Sequence, residues 1–81
     1  MSMVIKENGG LDREVELPND MGLIIKTLGI EPTTTREDTI KTINRASIHM
    51  ATQGKNEAYK RLHAAVEEIQ EWSTETLTVE F

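Results

Sequence analysis

Between Thr34 and Trp72 the chain reads as two amphipathic helices folded back on each other about Gln53-Gly54-Lys55-Asn56. This stretch is nearly half the protein, and it constrains the fold more than any other feature. Thr34 and Glu37 have the Thr-x-x-Glu spacing in which a capping side chain and a glutamate satisfy each other's backbone donors. Asp38 adds negative charge near the positive helix end. At about 100° per residue, Ile40, Ile43, Ala46, Ser47, Met50 and Ala51 share one face of a helix over 35–52. Ile48 falls off that stripe, among polar positions. Gly54 suits a helix stop, and Asn56 suits the cap of the next helix.

The second helix is expected over 57–73. Ala58, Tyr59, Leu62, Ala65, Val66, Ile69 and Trp72 form one stripe, with Lys60, Glu67, Glu68 and Glu71 opposite. The connection is short, so the two helices should be antiparallel neighbours. Ala46, Ala51, Ala58 and Ala65 would let them approach closely.

A β-hairpin is expected over 3–17. Met3-Val4-Ile5-Lys6-Glu7 leads into Asn8-Gly9-Gly10, and Asn-Gly accepts positive φ at low cost. Leu11, Arg13, Val15 and Leu17 then alternate with Asp12, Glu14 and Glu16. Arg13 is the exception on the apolar face, where a long side chain can snorkel. After Pro18, Asn19 or Asp20 can cap a short helix over 19–28, with Met21, Ile24, Ile25 and Leu28 apolar and Gly29 as its stop. Glu31-Pro32-Thr33 reads as a loop. Residues 76–81 alternate again. They suit a third strand beside the hairpin, an arm exchanged with another subunit, or a disordered tail. The fold class is α+β, mainly α: an N-terminal β-hairpin, a short helix, then an antiparallel two-helix hairpin with a candidate C-terminal strand.

With 81 residues the chain makes one small domain with a thin stability margin, so self-association would add apolar burial that one copy lacks. There is no cysteine, which removes disulfides and thiolate metal sites. No apolar run is long enough to span a bilayer, and the first residues lack the apolar core of a signal peptide. A soluble, cytoplasmic setting is therefore expected. Fourteen acids against nine bases give a net charge of −5, which repels phosphate backbones.

Met21 to Ile30 followed by Thr33 to Lys41 has the outline of a helix-turn-helix, with Thr33, Thr34, Thr35 and Arg36 opening a recognition helix. The connection is long for that motif, and Glu37 and Asp38 would sit where phosphates lie. His49 and His63 lack the i, i+4 spacing of paired metal ligands, so they read as surface residues and no metal is expected. Glu67, Glu68 and Glu71 read as a solvated face. Ser2, Ser47 and Ser73 stand in no nucleophile context, and Gly9-Gly10 has no phosphate-loop context. No catalytic residue and no cofactor is expected.

The function expected is a small non-enzymatic interaction module. It would be a regulator or inhibitor that binds another protein, homo-oligomeric through the two long helices, of the kind found among phage accessory proteins. Ile48, Tyr59 and Trp72 are the candidate contacts, since aromatic and stranded apolar side chains favour interfaces. Tyr59 and Trp72 lie on the apolar stripe and suit core packing equally. One alternative is a helix-turn-helix DNA-binding regulator. Another is an oligomer that sequesters a small anionic ligand, such as a nucleotide, with Lys41, Arg45, Lys55 and Arg61.

Overall fold

A computed structural model describes residues 2–8 and 13–81. The elements run β1 (Ser2–Glu7), β2 (Glu14–Pro18), α1 (Asn19–Leu28), β3 (Thr33–Thr35), α2 (Arg36–Thr52), α3 (Asn56–Gln70) and β4 (Thr76–Glu80). The α+β, mainly helical class is what the chain adopts. β1 and β2 pair antiparallel, with Ser2 opposite Pro18 and Lys6 opposite Glu14. The turn placed at Asn8-Gly9-Gly10, and Leu11 and Asp12 after it, lie outside the described residues except for Asn8.

The C-terminal segment is a strand, and it enters the middle of the sheet. β4 pairs with β1 on one side and β3 on the other, giving the antiparallel order β2-β1-β4-β3. β3 is a correction to the sequence reading. Thr33 to Thr35 were expected to be loop and first helical turn, yet Thr34 pairs with Leu77. Three consecutive β-branched residues favour extended backbone when a partner strand is present. The cap moves by one residue in consequence. Thr35, not Thr34, accepts from the Asp38 amide, at 3.1 Å.

The helices cover one face of the sheet. Met3, Ile5, Val15, Leu17, Leu77 and Val79 point into the core, and alternate residues face outward. The α2 stripe buries Ile43, Ala46, Ser47 and Met50; Ile40 is half-buried. Ala51 departs from the expected stripe and is exposed. Thr39 takes a place in the core instead, its hydroxyl donating to the Thr35 carbonyl at 2.8 Å. On α3, Ala58, Leu62, Ala65, Val66 and Ile69 are buried as the periodicity implies.

Helix ends differ in detail from the sequence reading. α1 starts at Asn19 behind Pro18, and α3 starts at Asn56 behind Lys55, neither with a side-chain cap. α3 ends at Gln70, so Trp72 follows the helix rather than riding on it. Gly29 and Gly54 hold φ of 93° and 75°, the left-handed conformations that both stops require.

Gly22 carries a different constraint. A Cβ there would meet the Met3 Cβ at 2.9 Å, where α1 crosses β1. The clash is with an atom fixed to backbone, so it cannot be relieved by rotating a side-chain tip. Gly22→Ala is expected to lower stability by about 1–2 kcal/mol, the overpacking cost exceeding the gain in helix propensity. Urea unfolding checks this; a stabilised variant would show that α1 does not lie this close to β1.

Candidate functional site

The outer side of α1 and α2 carries most of the large apolar surface left uncovered. Ile48 is 65 % exposed, Leu23 54 % and Leu28 41 %. On α1 the buried side is Met21, Gly22 and Ile25, which leaves Leu23, Thr27 and Leu28 facing away from the sheet. A shallow groove of about 200 Å³ runs between the helices, lined by Leu23, Ile24, Thr27, Leu28 and His49. Ile48 is on the outward side of α2, as its place off the apolar stripe implied, and does not line this groove. Leu23 was not singled out from sequence, and Leu28 was assigned to the inner face. A ten-residue helix with apolar residues on both sides gives no clear direction from periodicity alone.

Trp72 is not at the surface. It is 1 % exposed, so its reading as a contact residue is corrected to core. Tyr59 is half-buried, and its ring tilts against His63 with centroids 5.9 Å apart. His63 Nδ1 also lies 3.2 Å from Glu67 one turn on. His49 Nε2 lies 3.2 Å from the Gln53 side-chain amide. Among the described residues no group of three or more His, Asp or Glu side chains is placed to hold a metal ion.

The four candidate ligand-binding cations are not gathered at one place. Lys41 pairs with Glu37 at 3.3 Å and, with Arg45, lines a shallow groove that also holds Asp38 and Glu31. Lys55 stands in the turn between α2 and α3. Arg61 leaves the other three and crosses to the sheet, where Nη2 donates to the Glu16 carbonyl at 3.3 Å. The second helix of the helix-turn-helix outline opens later than expected, at Arg36. Thr33 to Thr35 belong to a sheet strand, so the opening residues of the supposed recognition helix are held by β4.

Polar chemistry inside the molecule collects at the hairpin end of the sheet. Glu7 faces the core side of β1, its side chain fully covered. Arg13, the apolar-face exception, snorkels to it at 3.2 Å. The Thr74 amide donates to the same carboxylate at 3.5 Å. Hydrogen bonding from Thr74 and the Arg13 charge hold the Glu7 pKa below its ordinary value of 4.5, against the upward pull of burial. The ionised form is therefore favoured by folding. Its contribution to stability is full above that ordinary value and is lost as pH falls through the lower folded pKa. Thermal melts from neutral to acid pH should show wild type losing stability below about pH 4.5, with a smaller loss in Glu7→Gln. Equal acid sensitivity in both would assign the effect to other carboxylates. Trp72 Nε1, Thr74 Oγ1, Arg13 Nε and Glu7 Oε1 have no protein partner among the described residues, so this region holds several polar atoms out of water.

No helix is long and apolar enough to cross a membrane among the described residues. Comparison with protein-family models, with curated proteins and with solved structures gives no match to this chain.

Proposed function

We propose that this protein is a non-enzymatic interaction module that associates with a second copy of itself through the α1–α2 face, and acts in the cytoplasm as a regulator of another protein. The observation that carries the reading is the exposure of Ile48, Leu23 and Leu28 on two adjacent helices of an 81-residue chain. Covering them removes apolar area from water, the main drive for association. Charges of both signs lie beside Leu28: Lys41 and Arg45 with Glu31 and Asp38. A two-fold contact can therefore oppose acids to bases while its apolar centre meets itself. A standard interface takes roughly 800 Å² from each partner, about one sixth of the 4997 Å² this chain exposes. The scattered placement of Lys41, Arg45, Lys55 and Arg61 gives the small-ligand alternative less support, and the strand at Thr33 to Thr35 does the same for DNA reading.

Ile48→Asp tests the reading. Ile48 contributes little to the monomer core, so the variant should keep the wild-type circular dichroism spectrum and melt at low concentration. Its dimer dissociation constant, measured by sedimentation equilibrium, should rise at least about tenfold, from desolvating a carboxylate at the centre of the contact. An unchanged constant would remove α2 from the interface.

A further inference from the structure

The sheet has two outer edges, and they differ in what their backbones offer. Along β1 the direction of bonding alternates. The Glu7 amide donates to the Arg13 carbonyl at 3.0 Å, toward β2, and the Asn8 amide donates to the Thr76 carbonyl at 3.1 Å, toward β4. With Met3 opposite Leu17 and Ile5 opposite Val15, it is Val15 and Leu17 that spend their backbone groups on β1. Glu14 and Glu16 turn theirs outward. Arg61 donates to the Glu16 carbonyl from outside the sheet, so an added strand displaces that one contact and finds the remaining groups outward.

The β3 edge offers much less. The Pro32 carbonyl is spent on Val79 of β4 at 2.8 Å, and the Arg36 amide on the Glu75 carbonyl just before β4 at 2.7 Å. Thr33 and Thr35 face outward, but the Thr35 carbonyl accepts from the Thr39 hydroxyl, and α2 starts at the next residue. Short edges of this kind resist strand addition.

An open groove of about 300 Å³ runs beside β2, between it and α3, lined by Val15, Leu17, Arg61, Ala64, Ala65 and Glu68. Two alanines on α3 leave room where larger side chains would close on the strand. We propose that this edge accepts an extended basic segment of a partner protein as a fifth strand. Charge names the occupant. Glu14 and Glu16 flank the edge on the outer sheet face, and Glu68 stands across the groove, with Arg61 the one cation lining it. The fitting segment alternates Lys or Arg with small apolar residues. Its basic side chains lie beside Glu14 and Glu16, and its apolar ones lie over Ala64 and Ala65. A second copy of this chain is the wrong occupant, because β2 against β2 sets Glu14 and Glu16 beside their own copies. The surface shares no residue with the α1–α2 face, so either assignment can fail without the other.

The test is nuclear magnetic resonance titration of the isotope-labelled full chain with a blocked peptide of alternating lysine and valine. The expected result is saturable shifts centred on the Glu14 and Glu16 amides, with slowed hydrogen exchange at both. The same peptide N-methylated on the edge that faces β2 should bind at least about tenfold more weakly, since strand addition rests on main-chain bonds. Three results would overturn the proposal: no shifts at Glu14 and Glu16, shifts spread over the acids of α3 alone, or equal binding of the methylated peptide.

Discussion

Trp72→Ala is expected to lose about 3–5 kcal/mol of folding stability, the range for emptying a large aromatic site in a packed core. A domain of this length holds in total about 4–12 kcal/mol, so the loss removes at least about a quarter of it. The reason lies in where Trp72 sits. It follows the last turn of α3, and it is the largest fully buried side chain. Its amide donates to the Ile69 carbonyl at 3.1 Å, so backbone and ring are fixed together. From there the chain turns to present Thr74 to Glu7 and then enters β4. Removing the ring opens a void and frees the link between the helical hairpin and the sheet. Denaturant unfolding followed by circular dichroism measures the loss. A cost below about 1 kcal/mol, the level of an ordinary surface change, would place Trp72 at the surface as a contact residue after all.

Removing residues 76–81 is expected to abolish cooperative folding. β4 lies between β1 and β3, so its loss splits the sheet and leaves β3 without a partner. Leu77 and Val79 leave the core at the same time, at about 1.5–3 kcal/mol of transfer free energy for each. Backbone donors and acceptors of β1 that bond β4 would then face the exposed side of a two-stranded ribbon, which is marginal by itself. A truncated chain that melted cooperatively near the wild-type temperature would show the segment to be an appendage, or an arm placed on another subunit.

The helical hairpin was legible because two independent signals agree over it. Stripes at helical spacing name the buried residues, and Gly54 supplies the positive φ where the stripes stop. The strands at either end were legible from alternation. β3 was not, because Thr33 to Thr35 satisfy two roles at once. Threonine caps helices and also favours strands, and only the presence of β4 alongside decides between them. The same ambiguity shifted the cap from Thr34 to Thr35. Trp72 shows a different limit. Continuing the α3 periodicity to residue 72 put the ring on the correct side, but periodicity alone does not tell a core position from an interface. Of the surface proposed for association, Ile48 was visible as a residue out of phase with its helix, while Leu23 needed the packing of α1 on β1 before its direction was fixed. The outward direction of the Glu14 and Glu16 backbone groups had no signal in the sequence, since it depends on which way β1 bonds at each residue.

The most direct test of the association proposed here is light scattering after size exclusion, on the wild-type chain at low and high concentration. The account predicts a mass that rises with concentration toward twice the 9.1 kDa of one chain. A constant 9.1 kDa at every concentration would contradict it, and the α1–α2 face would then not be a surface for self-association.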